Sequence, residues 1–171
     1  MLTGDVRLRA AAAADVEAVA ALVQSAYRGE SSRAGWTTEA DLLDGQRTDV
    51  DEVRALLPHL LVAEDDDGVV GCCTIVPKDA HAYFGMFAVR PGLQGGGVGS
   101  ALLTQAETRA RQLGLRRVEM TVLSLRPELI AFYERRGYTH VGETRPFPQG
   151  DARFGLPRRA DLEFVVLVKD L

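Results

Sequence analysis

Cysteine is scarce in this sequence, which contains only Cys72 and Cys73 among its 171 residues. The two are adjacent in a segment that we predict to be a strand, where neighbouring side chains point to opposite faces and cannot easily join in a disulfide. Disulfides are also rare in reducing compartments. The cysteine content therefore argues against a disulfide-stabilised secreted protein, and we expect a cytoplasmic one.

Long hydrophobic runs and dense positive charge are also missing. The apolar stretch 10–23 is interrupted by Asp15 and Glu17, and no basic segment, apolar core and cleavage site occur together at the start. We therefore expect neither secretion nor a membrane span. The formal net charge is -4 at pH 7, without a long run of Lys or Arg. Because nucleic-acid binding relies on clustered positive charge, we expect no nucleic-acid partner.

What is present is the composition of an ordinary globular protein, with 46% hydrophobic and 26% charged residues. A chain of 171 residues can form one proper core but is too short for two ordinary domains. We therefore predict a single domain over residues 1–171. Homodimerisation is compatible with the sequence, and no residues are assigned to a metal.

Hydrophobic periodicity predicts a mixture of strands and helices. Strands are predicted at residues 6–9, 60–64, 69–76, 83–89, 117–123, 138–143 and 163–169. Helices are predicted at residues 14–27, 49–57, 97–113 and 127–135, with another short helix carrying Leu42 and Leu43. The three strands between residues 60 and 89 are joined by turns and should be antiparallel, whereas residues 145–161 have the composition of a long loop.

A glycine cluster lies between a buried strand and a helix start. Four of the five residues from Gly95 to Gly99 are glycine, which costs about 0.5–1 kcal/mol of backbone entropy each relative to alanine. Helix N-termini carry unpaired N–H groups and partial positive charge, and glycines let the backbone approach a phosphate closely. This pattern predicts a diphosphate site rather than a bare turn.

Two common phosphate-binding motifs do not fit this cluster. A P-loop would require Lys and then Ser or Thr after the last glycine, but Ser100 and Ala101 follow Gly99. A dinucleotide fingerprint would require a small third residue at Leu102, or a glycine or alanine where Ser100 stands. A nucleoside triphosphatase and a nicotinamide oxidoreductase are therefore both disfavoured.

The cluster instead resembles the acetyl-CoA signature of the GCN5-related N-acetyltransferase (GNAT) family. Gln94, Gly97 and Gly99 have the spacing Gln-x-x-Gly-x-Gly, and they follow Ala88-Val89 and Pro91. Residues 131–138, Ala-Phe-Tyr-Glu-Arg-Arg-Gly-Tyr, are similar to a later segment of the family, in which an aromatic pair on a helix precedes a glycine and an aromatic strand start. In order of elements, the resemblance covers residues 6–138.

The resemblance implies an α/β fold of the α+β type, with a mostly antiparallel, centrally splayed mixed sheet flanked by helices. It also implies acetyl-CoA as the acyl donor, with its pantetheine in the splay. The cofactor-binding residues that it implies are Phe87, Ala88, Val89, Gln94, Gly95, Gly96, Gly97, Val98, Gly99, Ser100 and Tyr133. One departure is that Arg126-Pro127-Glu128 stands where family members often have an asparagine.

Tyr133 would lie near the cofactor sulfur and is our candidate general acid. A tyrosine, with a reference pKa of about 10, can donate a proton to a departing thiolate. The alternative is that Tyr133 only packs its ring in the core. For the general base, Glu30, His81 and Tyr83 lie beside regions that should face the acceptor, but no residue stands out and a water chain would also serve.

The acceptor is expected to be a primary amine on a small molecule or a peptide. Glu30, Trp36 and Tyr83 are the candidate substrate residues, although Trp36 could equally anchor its loop to the core. The favoured hypothesis is an acetyl-CoA-dependent N-acyltransferase that acts by direct attack in a ternary complex. The alternative is a non-catalytic sensor or interaction module that binds acyl-CoA, for which a proton donor at Tyr133 would be unnecessary.

Overall fold

The computed structural model describes residues 5–27, 43–44, 48–93, 96–146, 156–157 and 163–171. The strands of this part of the chain are β1 Arg7–Ala10, β2 Leu43–Asp44, β3 Leu60–Asp65, β4 Gly68–Pro77, β5 Ala82–Val89, β6 Arg117–Leu123, β7 Thr139–Pro146, β8 Leu156–Pro157 and β9 Glu163–Asp170. The α-helices are α1 Val16–Tyr27, α2 Val50–Leu56, α3 Val98–Gln112 and α4 Pro127–Glu134. Short 3-10 turns at Ala13–Asp15 and Leu57–His59 precede α1 and β3.

Seven strands form one mixed sheet in the order β1-β3-β4-β5-β6-β9-β7. Five of its six neighbouring pairs are antiparallel, and only β5 and β6 run parallel. The chain crosses between these two strands through α3, which follows β5 directly. The predicted mixed, mostly antiparallel sheet with flanking helices is therefore confirmed.

The sheet opens between its two parallel strands. β5 and β6 are paired only at Ala82 with Val118 and at Tyr83 with Glu119, although the strands continue to Val89 and Leu123. Beyond Tyr83 the two strands part, and their facing backbone groups do not pair with each other. This is the central splay that the family resemblance implied.

The two faces of the sheet carry separate hydrophobic cores. One core packs α3 and α4 against the sheet, with Leu102, Leu103, Phe132 and Tyr133 among its members. The other packs α1 and α2 against β3, β4 and β5. Cys72 belongs to this second core and Cys73 to the first, so the two thiols are buried on opposite faces, as predicted.

A β-bulge in β5 changes which side chains face α3 and α4. Cys72 pairs with Ala88 and Thr74 pairs with Gly85, so Cys73 alone stands opposite both Met86 and Phe87. Met86 has a left-handed φ of 45°, and its carbonyl accepts a hydrogen bond from the Cys72 thiol at 3.3 Å. Because the extra residue reverses the alternation, Phe84 and Phe87 both lie on the face of α3 and α4.

Local sequence signals explain where the helices begin and end. The Asp49 carboxylate accepts a hydrogen bond from the Glu52 N–H at 2.8 Å and caps α2, a role for which aspartate is favoured. Gly114 and Gly137 have φ of 79° and 96° and follow the last turns of α3 and α4. At the end of α4 the Tyr138 N–H bonds the Tyr133 carbonyl and the Gly137 N–H bonds the Glu134 carbonyl, which is a Schellman motif.

Three sequence expectations were wrong. Leu43 does not lie in a helix but in β2, which pairs with β8, so the predicted long loop at 145–161 also contains strand residues. Helical spacing in the sequence groups Gln105 and Arg109 on one side of α3 with Leu102 and Ala106, but the further residues that are buried are Leu103, Glu107 and Ala110. Glu107 can occupy the buried side because Lys169 of β9 and Tyr138, the residue just before β7, supply polar partners. No helix in the described part of the chain is long and apolar enough to cross a membrane.

Candidate active site

The connection from β5 to α3 is a series of tight turns. The Arg90 N–H bonds the Val70 carbonyl at 2.8 Å, the Leu93 N–H bonds the Arg90 carbonyl at 3.0 Å, and the Gly96 N–H bonds the Leu93 carbonyl at 3.2 Å. Gly97 precedes α3 with a left-handed φ of 90°, a conformation that favours glycine. The connection therefore turns the chain sharply from the buried strand into the helix.

The first turn of α3 begins beside the splay. Gly97, Val98, Gly99 and Ser100 form this start, and N–H groups in the first turn of a helix have no partner within the helix. The Val98 side chain is buried against β4, where it would lie 3.1 Å from a Cβ placed on Gly71. Packing thus fixes the helix start in place, so that its positive end can receive an anion.

Gly99 lies where the first turn of α3 passes close to β5. A Cβ at Gly99 would lie 2.9 Å from Cζ of Phe87 and 3.5 Å from a methyl group of Val89. The glycine lets α3 pack directly against the ring of Phe87 on β5. The missing side chain therefore serves helix–strand packing, which holds the first turn close to the splayed strand.

Tyr133 lies on α4 at the centre of an aromatic cluster. It is 3% exposed, and its ring centroid is 6.2 Å from that of Phe84 and 6.0 Å from that of Phe87. Phe132 and Tyr138 contact it edge-on, with centroids at 5.3 Å and 6.0 Å. The phenol is thus positioned against the splayed part of β5, on the same side of the sheet as the start of α3.

A buried polar network of Glu107, Tyr138 and Lys169 lies next to this aromatic cluster. Glu107 of α3 is 6% exposed and accepts a hydrogen bond from the Tyr138 hydroxyl at 3.1 Å. Lys169 of β9 donates to both carboxylate oxygens of Glu107, each at 3.1 Å. Burial, together with the adjacent Glu107 carboxylate, raises the pKa of Tyr138. Tyr138 therefore stays neutral, and its ring provides a fixed wall for Tyr133.

The opposite face of the sheet carries a polar cluster at the same point of the splay. Tyr83 and Thr121 project there, and their hydroxyls lie 2.6 Å apart across the gap between β5 and β6. Next to them, Glu119 accepts a hydrogen bond from Arg145 at 2.6 Å and lies 3.0 Å from His81 Nε2. This face therefore carries hydroxyl and charged groups beside the splay.

Sequence reasoning missed two groups at the site. Arg136 follows α4, and its Nε donates to the Ser100 hydroxyl at 3.2 Å, beside the start of α3. Glu119 was treated only as part of a strand. In strands, alternation puts Glu119 and Thr121 on the face opposite Val118 and Met120, and this pattern could have been read from the sequence. Arg136 gave no such signal, because its contact spans 36 residues.

The structure brings some of the predicted residues together and says nothing of others. Phe87 and Val89 face α3, whereas Ala88 belongs to the core beneath α1. Gly96, Gly97, Val98, Gly99 and Ser100 form the helix start, and Tyr133 lies on the same side of the sheet. Tyr83 lies on the other face. The remaining predicted residues, Glu30, Trp36, Gln94 and Gly95, are outside the described residues.

Arg126 is the first residue of the segment Arg126-Pro127-Glu128, in which the sequence departs from the resemblance described above. It is 4% exposed and forms the N-cap of α4, with φ of -118° and ψ of 67°. Its N–H bonds the Leu123 carbonyl at 3.0 Å, so the turn after β6 leads directly into the helix that carries Tyr133. The backbone of Arg126 therefore forms the start of this helix.

The chain is similar to known proteins in both sequence and fold. The chain is 34% identical to the amino-acid acetyltransferase of Ralstonia nicotianae over 87 residues, a match that covers 50% of this chain but only 18% of that protein. Its fold matches ribosomal-protein-alanine N-acetyltransferase from Brucella melitensis with a TM-score of 0.70 at 23% identity, covering 96% of this chain and 99% of that one.

A third match is a liganded structure. It is N-acetylglutamate synthase from Neisseria gonorrhoeae, solved with coenzyme A and N-acetyl-glutamate, with a TM-score of 0.67 at 18% identity. This match covers 99% of the present chain and 36% of that chain. At these identities the two structural matches show the fold alone.

The model of the acetyltransferase (GNAT) family matches residues 17–138. This span includes β5, the glycine connection, α3 and the segment of Tyr133, and the chain therefore belongs to the acetyltransferase (GNAT) family.

Proposed function

We propose that this protein transfers an acetyl group from acetyl-CoA to a primary amine of a small molecule or a peptide. The observation that carries the proposal is the juxtaposition of three features on one side of the sheet. These are the start of α3, the opening between β5 and β6, and the phenol of Tyr133. A pantetheine chain that follows the opening from the start of α3 would bring its thioester towards Tyr133.

Each part of the donor has a matching part of the site. The pyrophosphate would bind at the N–H groups and positive end of α3. The pantetheine amides would pair with the backbone edge of β5 beyond Tyr83, where β6 has separated from it. Backbone N–H and C=O groups are strong hydrogen-bonding groups, so a strand edge from which its neighbour has separated suits such pairing.

The acceptor would approach from the face that carries Tyr83. Its amine nitrogen attacks the thioester carbonyl carbon, and the C–S bond breaks as the new C–N bond forms. The electron pair of the C–S bond goes to sulfur, and Tyr133 donates a proton to the thiolate. The nitrogen loses a proton to water or to a polar group on the Tyr83 face, and Tyr133 regains its proton from solvent before the next turnover. Holding well-oriented reactants together can supply about 7–11 kcal/mol of the barrier reduction.

Amine-dependent release of CoA thiol from acetyl-CoA tests this proposal. A panel of amino acids, polyamines and peptides would be assayed, and at least one amine should raise thiol release well above hydrolysis in its absence. Mass spectrometry should then find the acceptor heavier by one acetyl group. Binding of acetyl-CoA without turnover on any amine would instead support the sensor alternative.

A further inference from the structure

Arg136 is held in a fixed position beside the start of α3. Its Nε donates to the Ser100 hydroxyl at 3.2 Å, and its Nη1 donates to the Phe132 carbonyl at 2.9 Å. The guanidinium carbon also lies 3.6 Å from the centre of the Phe132 ring. These three contacts fix the orientation of a side chain that would otherwise be mobile.

The fixed guanidinium has no acidic partner within the described part of the chain. Arg9, Arg54, Arg117 and Arg145 each pair with a carboxylate, whereas the hydrogen bonds of Arg136 go to neutral oxygens. Burial, with a smaller effect of the neighbouring Arg135, lowers the pKa of Arg136. Arginine nevertheless remains charged at neutral pH. A half-buried cation is therefore held next to the positive end of a helix, an arrangement that an anion would stabilise.

We infer that Arg136 binds the pyrophosphate of the acyl donor, together with the backbone N–H groups at the start of α3. The inference rests on the proposed function, which supplies the donor. Guanidinium groups bind phosphate oxygens through parallel hydrogen bonds, and the contacts to Ser100 and Phe132 engage two of the five N–H donors. Arg136 thus adds a side-chain cation from α4 to a site otherwise built from the glycine connection.

This contact would also couple the two parts of the site. Arg136 lies three residues after Tyr133, and its own N–H bonds the Tyr133 carbonyl at 2.9 Å. A pyrophosphate bound by Arg136 would therefore tie the start of α3 to the end of the helix that carries Tyr133. Arg136 would act as a binding and positioning residue, since it does not reach the reacting atoms.

The test measures binding of CoA and of 3′-dephospho-CoA by titration calorimetry in matched variants. Arg136→Gln removes the charge, and Arg136→Lys retains the charge without the planar guanidinium. Ser100→Ala removes only the hydroxyl that accepts a hydrogen bond from Arg136. Arg135→Gln is the control, because Arg135 is adjacent and exposed and its loss changes the net charge equally.

We expect Arg136→Gln to weaken the binding of both ligands by about 10–100-fold, the range of one or more charged hydrogen bonds. Arg136→Lys should fall between the wild type and Arg136→Gln, and Ser100→Ala should weaken binding by less than Arg136→Gln does.

Three results would decide whether Arg136 binds the donor, which phosphate it contacts and whether the proposed function holds. Equal affinities for Arg136→Gln and Arg135→Gln would overturn the inference and leave Arg136 as a structural group at the end of α4. A loss seen with CoA but absent with 3′-dephospho-CoA would place the contact at the 3′-phosphate and overturn the pyrophosphate assignment. Failure of the wild type to bind CoA would count against the proposed function itself. If Arg136→Gln does not fold, as judged by thermal unfolding, Arg136→Lys and Ser100→Ala carry the same comparison.

Discussion

Gly99 and Phe87 are in direct packing contact, because a Cβ at Gly99 would lie 2.9 Å from Cζ of the phenyl ring. The ring cannot simply move away. It is surrounded by Phe84, Phe132 and Tyr133, with ring centroids 5.3, 5.9 and 6.0 Å away. The start of α3 is therefore fixed relative to β5 by steric fit as well as by the turns of the connecting loop.

Gly99→Ala should therefore destabilise the protein, although alanine is the better helix former. Overpacking costs about 1–3 kcal/mol and helix propensity returns about 1 kcal/mol, so we expect a net loss of about 1 kcal/mol in urea unfolding. The matched test is the same substitution in a Phe87→Leu background, where the smaller side chain leaves room and Gly99→Ala should become neutral or stabilising. An identical effect in both backgrounds would show that the contact does not determine the cost.

Tyr133→Phe should reduce kcat by about 100-fold or more, because a positioned proton donor contributes about 10²–10⁴-fold. Binding of acetyl-CoA should change by less than about two-fold, since the ring and its packing are retained. Steady-state thiol release and calorimetry measure the two quantities separately.

Tyr138→Phe is the control for Tyr133→Phe. It also removes one buried hydroxyl, but Tyr138 donates to Glu107 rather than to the reaction. We expect it to lower stability by about 1–3 kcal/mol, because the carboxylate loses a partner, while kcat stays within a few-fold. If Tyr133→Phe turned over as fast as the wild type, Tyr133 would have no part in proton transfer.

Lys169→Met should destabilise the fold by about 3 kcal/mol, since it leaves the buried Glu107 carboxylate without its cation. Adding Glu107→Gln should recover much of the loss, because the uncompensated charge is then gone. Lys78→Met at the exposed turn before β5 is the control and should stay within about 0.5 kcal/mol. A Lys169→Met protein as stable as the control would mean that the network contributes little.

Stability at low pH should depend on Asp15. Its carboxylate bonds Arg9 at 2.7 and 2.9 Å and the Ala12 N–H at 2.7 Å, and the Arg9 guanidinium is the main cause of its lowered pKa. A lowered pKa in the folded state gives stability that is present above the unfolded value of 3.8 and is lost as pH falls through the folded value. The wild type should therefore exceed Asp15→Asn in urea midpoint at pH 7, and the difference should shrink steadily below about pH 4.

The comparison variant for this pH series is Asp66→Asn, at the exposed turn between β3 and β4. It removes the same charge without removing a hydrogen-bonded pair, so its midpoint should follow the wild type across the series. A difference between the wild type and Asp15→Asn that stayed constant with pH would contradict the proposed linkage.

Much of the fold could be predicted because local signals and tertiary packing agree. The strands from Leu60 to Val89, the cap at Asp49 and the glycines that end α3 and α4 each follow from short stretches of sequence. The glycine connection and the segment of Tyr133 were also recognisable because they are continuous motifs. Turn chemistry and periodicity are local properties, so a single sequence reveals them.

The rest depends on contacts between distant residues. The bulge at Met86 arises from how β5 pairs with β4, and it places Phe84 and Phe87 on one face against simple alternation. Nothing in the sequence indicated that Glu107 is buried, and its burial depends on Lys169, which reaches it from β9, 62 residues away. Arg136 likewise contacts Ser100 only because the end of α4 packs beside the start of α3. Such pairings leave no periodic trace in the sequence.

Calorimetric titration with acetyl-CoA tests the central claim most directly, with CoA and NADH as comparison ligands and Gly97→Val as the control protein. Valine cannot readily adopt the φ of 90° found at Gly97, so this variant should disturb the helix start specifically. The account predicts micromolar binding of acetyl-CoA and CoA by the wild type, a large loss of both in Gly97→Val, and no binding of NADH. Failure of the folded wild type to bind either CoA species, or binding of NADH in their place, would contradict it.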